Sequence, residues 1–272
     1  MIIIGEKING AIPKVKEAIL NRDAELIKKR AIAQTEAGAN FLDCAPSVAS
    51  ELEYDAMVWL IEQIQEVSDV PICVDSPNHH LIKRIFEEGH VKKPGMLNSV
   101  NEEGDKCETL FPLIAGTDWE VVGLTCDKEH GVPQQSEIKI DIAKRMIDKA
   151  VKYGVDLKKF HIDPCVFALS TNPLAMKDFE TCIIGIHEYA PEVKVTGAIS
   201  NISFDMPVRK ILNNNCMAFA INAGLDSAIM DPCDRDMIGT IYAAEALSMK
   251  DKSGRKYNRA YRQGKFGPIK TN

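Results

Sequence analysis

The stretch ICVDSPNHHLIKRIFEEG, residues 72–89 of this 272-residue chain, contains one complete strand–helix unit. Residues 72–75 form a short apolar run that ends in Asp75, as is typical of a strand covered on both faces. Residues 78–89 space their apolar side chains as a helix does, and Gly89 stands where that helix should end. A buried strand followed directly by a helix is the building unit of parallel α/β folds.

The same unit recurs eight times along the chain. Eight strand–helix units in about 250 residues predict a single (β/α)8 TIM barrel, with residues 1–249 as its domain. A doubly wound open sheet is the alternative, but residues 5–10, GEKING, lack the G-x-G-x-x-G phosphate turn that usually follows its first strand. The predicted strands are 2–4, 41–43, 72–75, 96–98, 121–125, 160–163, 193–199 and 228–231, and the predicted helices lie near 23–38, 51–67, 78–89, 102–116, 136–153, 172–189, 207–223 and 234–249.

The net charge of the chain is −6, from 33 Lys and Arg against 39 Asp and Glu. Eight of the basic residues and one acid lie within residues 250–272, which leaves 25 basic against 38 acidic residues before them. An acidic body argues against nucleic acid as a ligand, because nucleic-acid binding depends on clustered cations. No apolar run approaches the roughly 20 residues of a membrane span, so no membrane insertion is predicted.

The chain is predicted to work in the cytoplasm. Its N-terminus, MIIIGE, lacks the basic start and the long apolar stretch of a secretory signal. The eight cysteines are too sparse for a disulfide scaffold and form no C-x-x-C pair. Both observations favour a reducing compartment.

Polar side chains follow nearly every predicted strand. Because the C-terminal ends of barrel strands meet at one mouth, these side chains are expected to share one site. A single Asp in such a place is commonly the N-cap of the next helix, but so many at one rim indicate a ligand. Carboxylates and carboxamides suit a ring with several N–H donors and some acceptors, such as a pterin or a purine. The residues concerned are Glu6, Asn9, Asp43, Asp75, Asn98, Thr125, Asp127, Asp163, Asn201 and Asp231.

A zinc site is the competing interpretation of this rim. Four cysteines follow strand ends and could offer thiolates from several loops. No pair has short ligand spacing and no H-x-x-x-H occurs, so these cysteines are predicted to pack as small apolar residues. His79 and His80 open the helix after the third strand and could lie near the mouth, whereas His161 within a strand is predicted to pack. The four cysteines are Cys44, Cys126, Cys165 and Cys233.

Five motifs stand at predicted strand ends, and they are IGEKIN (4–9), VDS (74–76), LNS (97–99), IDP (162–164) and GAISNIS (197–203). Together they resemble the motifs of the methyltetrahydrofolate:corrinoid methyltransferases. That family of pterin-binding barrels includes the folate module of cobalamin-dependent methionine synthase. The resemblance runs from residue 2 to about residue 249 and implies a TIM barrel of the pterin-binding type.

The resemblance implies a role for each of nine residues. In the family an Asp, an Asn and a second Asp hold the pterin ring, and by motif these are Asp75, Asn98 and Asp163. Asn201 matches the catalytic residue that hydrogen-bonds the pterin N5, and Asp75 or Asp163 with an ordered water would support proton delivery. Arg209 keeps a family-like spacing after Asn201. The pocket is expected to be completed by Glu6, Asn9, Asp43 and Ser200.

The chain departs from the family just after this last motif. Phe204 stands where some members carry a polar amide, and Asp205, Met206 and Pro207 replace a more amide-rich stretch. The resemblance therefore leaves open how the p-aminobenzoyl-glutamate part of a folate is held.

The reaction implied by the resemblance is an SN2 transfer of a methyl group between N5 of tetrahydrofolate and the cobalt of a corrinoid. The corrinoid, a cobalamin-type group, would arrive on a partner protein. The chain itself would take tetrahydrofolate or methyltetrahydrofolate as substrate and hold no metal. One pocket serves both directions of transfer, because one transition state governs both. The family also implies a homodimer.

Three other functions stay open at this point. Dihydropteroate synthase shares the barrel and the pterin pocket, but residues 6–9, Glu-Lys-Ile-Asn, do not match its Asn-x-Thr-Pro-Asp-Ser-Phe-like first loop. A non-catalytic module that binds folate or a corrinoid protein is the second. A barrel lyase acting on a different substrate is the third.

Residues 250–272 lie beyond the predicted barrel and are expected to form a basic C-terminal extension. One interpretation is a solvated or frayed chain end. The other is a docking segment in which Arg255, Arg259 and Arg262 bind the partner subunit or an acidic corrinoid protein. Apolar helix faces would also permit a dimer contact, although such faces usually pack on the barrel. One such face consists of Met57, Leu60, Ile61 and Ile64.

Overall fold

Eight parallel strands alternate with helices in the computed structural model, which describes residues 1–268. Residues 269–272, and with them Lys270 of the basic extension, lie outside the described residues. The elements are β1 (Ile2–Asn9), α1 (Pro13–Asn21), α2 (Ala24–Glu36), β2 (Phe41–Ala45), α3 (Ser50–Val67), β3 (Ile72–Asp75), α4 (His79–Glu87), β4 (Met96–Glu102), α5 (Lys106–Ile114), β5 (Glu120–Asp127), α6 (Ser136–Tyr153), β6 (Phe160–Asp163), α7 (Ala175–Tyr189), β7 (Lys194–Val195), α8 (Arg209–Ala223), β8 (Ser227–Met230), α9 (Arg235–Leu247) and α10 (Arg255–Arg262).

The strands form one sheet in the order β7-β6-β5-β4-β3-β2-β1-β8, and all neighbours are parallel. The two end strands meet through a parallel bridge between Ala198 and Ile229. The backbone N–H of Ile229 donates to the carbonyl of Gly197 at 3.1 Å, and that of Asp226 donates to the carbonyl of Val195 at 3.1 Å. The predicted TIM barrel is confirmed.

Two apolar layers hold the barrel together. The larger one lies between the strands and the surrounding helices, and a smaller one fills the barrel interior around Ile4, Phe41 and Met96. This division follows from strand geometry, since successive side chains point to opposite faces of the sheet. No helix within residues 1–268 is long and apolar enough to cross a membrane. The apolar face that could have formed a dimer contact lies on α3 and consists of Met57, Leu60, Ile61 and Ile64. All four side chains are fully buried in the larger layer, so this face packs on the barrel and offers no dimer contact.

A polar network closes the N-terminal end of the barrel. His161 is fully buried, as predicted, and its Nδ1 lies 2.7 Å from Ser227 Oγ, while its Nε2 pairs with Glu120. Lys194 Nζ donates to Glu120 Oε2 at 2.8 Å. Burial lowers the pKa of His161, which favours the neutral ring inside this network. Polar side chains therefore fill the N-terminal end of the barrel, and the C-terminal ends of the strands form its open end.

Several elements differ from the sequence prediction. Strands β1 and β4 extend to Asn9 and Glu102, beyond the predicted 2–4 and 96–98, and two differences are larger. Helix α1 was not predicted, because a nine-residue helix that begins at Pro13 leaves a weak periodic signal. Strand β7 covers Lys194–Val195 alone, where the sequence predicted a strand over 193–199. The chain turns at Gly197, where a Cβ would approach the ring of Phe179 to 2.9 Å. It then forms a 3₁₀ helix at Ile199–Ser203, named here the mouth turn.

The basic extension is folded against the barrel. Its helix α10 begins after Asp251, whose carboxylate accepts hydrogen bonds from the backbone N–H groups of Lys256 and Tyr257 at 3.0 and 2.9 Å. Phe266 is buried and packs against the rings of Tyr257 and Tyr261. Residues 250–268 are therefore folded and not frayed, although most of their side chains are exposed to solvent. The domain boundary at residue 249 stays a prediction.

Candidate active site at the mouth of the barrel

A cavity of about 750 Å³ opens at the C-terminal ends of the strands. Strands β1, β2 and β3 form one wall, and the mouth turn with the start of α8 forms the other. This is the end of a TIM barrel at which active sites lie. The polar lining residues are Glu6, Lys7, Asn9, Asp43, Asp75, Ser200, Asn201, Arg209, Lys210, Asn213 and Asp234.

The structure brings seven of the nine predicted site residues onto this lining. Asn98 and Asp163 are the exceptions, since they are only 7% and 5% exposed and do not line the cavity. Asn98 is paired in register with Asp75 on the neighbouring strand, and the Asn98–Ser99 peptide bond is cis. Asp163 ends β6, and its Oδ1 accepts the backbone N–H of Cys165 at 2.7 Å. The seven lining residues are Glu6, Asn9, Asp43, Asp75, Ser200, Asn201 and Arg209.

Three carboxyl groups of the site have pKa values near neutrality. Burial raises the pKa of Glu6 to about 7. Burial, followed by the negative charge of Glu53, raises the pKa of Asp75 to about 7. Burial likewise raises the pKa of Asp163 to about 6. A ligand that donates N–H groups would favour the ionised form of each, because a carboxylate accepts hydrogen bonds at both oxygens.

Asp43 lies deepest in the carboxylate cluster. It is 1% exposed, and burial together with the charges of Asp75 and Glu6 raises its pKa well above the usual range. Cys73 and Asn98 lie beside this carboxyl and offset part of the rise in its pKa, but within residues 1–268 its Oδ1 has no partner at hydrogen-bond distance. A buried oxygen without a partner costs folding free energy of about 1–3 kcal/mol, so a bound donor at this place would be strongly favoured.

Asn201 reaches the cavity from the mouth turn, and Arg209 holds that turn in place. The Arg209 guanidinium donates from Nη2 to the carbonyl oxygen of Ser200 at 2.8 Å and from Nε to Ser203 Oγ at 3.0 Å. It also lies 4.7 Å from the ring centroid of Phe204. Arg209 is thus a positioning residue for the turn that carries Asn201, in addition to lining the cavity.

Sequence reasoning missed Asn213. It lines the cavity, and its buried Oδ1 has no partner among the described residues. Its position four residues after Arg209 places both side chains on one face of α8, which is the signal that could have found it. Lys210, also missed, is held by Asp234 and Asp236 at 3.1 and 2.7 Å and so is an ion-paired wall residue.

The cysteines near the strand ends do not converge on one point. Cys44 and Cys126 are buried, Cys165 is half-buried and Cys233 is exposed. Within residues 1–268 they belong to no group of three ligand atoms that lie within 4.8 Å of one another. Most of the polar lining residues of the cavity are carboxylates and carboxamides, whose chemistry suits an organic ring with N–H groups.

Asp75→Asn is expected to stabilise the ligand-free protein by about 2 kcal/mol more at pH 8 than at pH 5. The folded chain keeps the Asp75 proton up to a pKa of about 7, whereas an unfolded chain loses it near 3.9. The folded state therefore binds the extra proton between these values, and stability falls as the pH rises through them. Urea denaturation at both pH values measures the difference.

Asp69→Asn is the matched control for this experiment. Asp69 precedes β3, is exposed, and has a pKa lowered by its hydrogen bond with Lys93. Its removal should give no gain in stability at pH 8. Equal stability changes for Asp75→Asn at the two pH values would contradict the burial of an ionisable carboxyl at this place.

The fold and the site together define a barrel enzyme that binds a flat heterocycle rich in N–H groups. The chain belongs to the pterin-binding enzyme family, which it matches over residues 12–231.

Two relatives in sequence and one in structure extend this result. The chain is 45% identical over 271 residues to a methylcorrinoid:tetrahydrofolate methyltransferase from Eubacterium limosum, and the aligned region covers 99% of each chain. It is 33% identical over 243 residues to a methionine synthase from Mycobacterium leprae, which covers 85% of this chain and 20% of that protein. The barrel also matches a Yersinia pestis DHPS with a pterine-sulfa conjugate at a TM-score of 0.62 and 17% identity, over 92% of this chain and 93% of the other. That last similarity concerns the fold alone.

Proposed function

We propose that the protein is a methyltransferase that moves a methyl group between N5 of tetrahydrofolate and the cobalt of a corrinoid carried on a partner protein. The observation that carries this proposal is the convergence of Asp75, Asn201 and the buried Asp43 on one open mouth. The full-length similarity to the Eubacterium limosum enzyme supports the same reaction.

The pterin ring is the part of the substrate that this mouth recognises. Asp75 accepts from ring N–H and amino groups at the cavity wall. Asn98 and Asp163 do not line the open cavity, so in this proposal they contact only the part of the ring that enters deepest between β3 and β6. Glu6, Asn9, Asp43 and Ser200 complete the pocket. Because the carboxyl groups lose hydration on burial, a ligand that returns several hydrogen bonds binds tightly, and one that lacks them is rejected.

Asn201 acts at the reacting nitrogen. In the direction towards folate, the N5 lone pair of tetrahydrofolate forms a bond to the methyl carbon while the carbon–cobalt bond breaks, and its electron pair stays on cobalt. N5 thereby gains positive charge and then loses its proton. The Asn201 carboxamide accepts a hydrogen bond from N5–H as that charge develops, and Asp75 or Asp163 receives the proton through water.

The direction from methylcorrinoid to tetrahydrofolate is the one we propose for the cell. The Eubacterium limosum relative, whose whole length matches, is named for that direction. The dihydropteroate synthase alternative has fold similarity alone in its support. The cobalt arrives with the corrinoid as substrate, and we propose that the pterin pocket itself holds no metal.

Anaerobic incubation of the purified chain with tetrahydrofolate and free methylcobalamin tests the proposal. Cob(I)alamin absorbance should appear together with methyltetrahydrofolate, and neither should form without the protein. Tetrahydrofolate binding with no methyl transfer would make the protein a non-catalytic module. Formation of dihydropteroate from the substrates of the synthase would establish the alternative enzyme, and failure to bind any pterin would favour a lyase.

We propose further that the enzyme is cytoplasmic and a homodimer, and that α10 docks the corrinoid protein. Apolar side chains that support a dimer contact are exposed on α8 and at and just beyond the C-terminal end of α9. The face of α10 is basic because Arg255, Arg259 and Arg262 are all exposed along it. The exposed apolar side chains are Ile211, Phe219, Leu247 and Met249.

Replacing Arg255, Arg259 and Arg262 together by Gln is expected to slow transfer from an acidic methylcorrinoid protein about 10-fold at low salt. Steering by opposite charges is screened by salt, so the defect should vanish at high ionic strength. Transfer from free methylcobalamin should not change. Stopped-flow absorbance with each donor measures both rates.

The matched control removes three exposed lysines elsewhere, in the variant Lys29→Gln, Lys152→Gln, Lys177→Gln. It should leave both donors unaffected. Equal losses with both donors in the arginine variant would indicate a folding defect. An unchanged rate with the corrinoid protein would show that α10 is not the docking face.

A further inference from the structure

Two histidines and an aspartate come together at the barrel rim outside the cavity lining. His79 and His80 begin α4, directly after the loop that follows β3. Asp105 precedes α5, after the loop that follows β4. One ligand atom from each of the three residues lies within 4.8 Å of the other two. The cluster therefore joins two neighbouring loops that are far apart in the chain.

The three side chains are already arranged around one point. His79 Nε2 lies 3.0 Å from Asp105 Oδ1, and the two imidazole rings lie 4.0 Å apart between centroids. Ligand atoms in a tetrahedral zinc site are about 3.3 Å apart, since each lies about 2.0–2.1 Å from the ion. The three ligand atoms lie within 4.8 Å of one another, so they exceed that spacing by at most about 1.5 Å. His80 and Asp105 are exposed, so an ion can enter and keep a water ligand.

The Asp105 carboxylate is also available as a charged ligand. Its Oδ2 accepts a hydrogen bond from Thr109 Oγ1 at 3.1 Å, and its Oδ1 lies 3.0 Å from His79 Nε2. The neighbouring Lys106 is directed to Glu103 at 3.3 Å instead. A carboxylate that is ionised and paired with imidazole is a suitable third ligand, because two neutral imidazoles alone leave the charge of a divalent ion uncompensated.

We propose that His79, His80 and Asp105 form a binding site for one divalent transition-metal ion of intermediate softness, for which Zn²⁺ is the probe. Two His and one carboxylate with open positions are a donor set for such ions. The bound ion links the β3–α4 loop to the β4–α5 loop. These loops follow the strands that end in Asp75 and contain Asn98. The ion thus braces the rim of the pterin pocket, and this inference does not depend on the proposed reaction.

Calorimetric titration of the chelator-treated full-length chain with Zn²⁺ tests the site. All proteins in this experiment carry Cys233→Ser, because Cys233 is the exposed one of the eight cysteines, all of which lie within the described residues. One Zn²⁺ per chain is expected to bind. The same titration with Co²⁺ should give visible absorption bands, and Zn²⁺ should raise the thermal unfolding temperature, since it binds the folded chain.

Three variants separate metal binding from the hydrogen bond that already joins two of the residues. His79→Gln keeps a hydrogen-bonding partner for Asp105 but removes the imidazole, and Asp105→Asn keeps the shape of the helix start. Each of these variants, and His80→Ala, should weaken Zn²⁺ affinity by at least about 10-fold and abolish the thermal shift.

His90→Ala is the matched control. His90 follows the other end of α4, and its Nε2 pairs with Tyr54 and Glu88, outside the cluster. Its Zn²⁺ affinity should equal that of the parent. Absence of stoichiometric Zn²⁺ binding to the parent, or binding that survives His79→Gln undiminished, would overturn the site and would leave the methyltransferase proposal unaffected.

Discussion

Asn201→Ala is expected to lower the rate of methyl transfer about 10²–10³-fold, as the loss of one preorganised group at a site of developing charge does in other enzymes. Asn201 lies on the cavity wall, in the turn held by Arg209. Its carboxamide should interact with N5 more strongly in the transition state than in the ground state, so tetrahydrofolate affinity should change less than about 3-fold. Single-turnover rates at saturating tetrahydrofolate, with calorimetric binding constants, measure the two effects.

Asn215→Ala serves as the control for this variant. Asn215 is an exposed carboxamide on α8 that bonds the carbonyl oxygen of Ile211 at 2.8 Å. It should leave both rate and affinity unchanged. If Asn201→Ala binds tetrahydrofolate poorly yet transfers the methyl group at the normal single-turnover rate, Asn201 has no catalytic role.

Asp75→Asn is expected to weaken tetrahydrofolate binding about 10- to 100-fold, because hydrogen bonds to a charged acceptor contribute about 1.5–3 kcal/mol. The ionised Asp75 accepts from the pterin, and its pKa without ligand is about 7. Wild-type affinity should therefore fall as the pH drops below that value, whereas the variant should show a flatter profile. Fluorescence titration from pH 5.5 to pH 8 measures both curves.

The same substitution should thus act in opposite directions on binding and on ligand-free stability at pH 8. A carboxyl group that is buried in order to bind a ligand destabilises the ligand-free protein. Function and stability therefore oppose each other at this site. Asp69→Asn again serves as the control, since its exposed carboxylate pairs with Lys93 away from the cavity. Unaltered titrations with Asp75→Asn would show that the pterin ring binds elsewhere.

Much of the barrel could be predicted because its signals are local in the chain. The Ile72–Asp75 strand and the helix after it show their periods within 18 residues, and the eightfold repeat then predicts closure. Strand β7 was predicted to run over residues 193–199, up to the start of the mouth turn, because this stretch is rich in β-branched residues. The helical form of the mouth turn depends on Arg209, which reaches it from the next helix.

The C-terminal segment shows the same limit of local signals. Its composition is that of a solvated chain, with a high density of Lys and Arg. Phe266 nevertheless docks it, by packing against rings of α9 and α10. A single buried aromatic side chain can outweigh a polar composition, since its burial contributes about 1.5–3 kcal/mol. Asn213 was missed because its cavity position depends on how α8 crosses the mouth.

The sequence by itself determined the barrel, the polar residues at its mouth and the division between an acidic body and a basic extension. These depend on period and on chain order, which are properties of neighbouring residues. The tertiary structure decided at which carboxyl groups burial raises the pKa, which seven predicted residues reach the open cavity, and that His79, His80 and Asp105 meet at the rim. Each of these depends on desolvation or on contact between residues distant in the chain, and both arise only when the whole barrel packs.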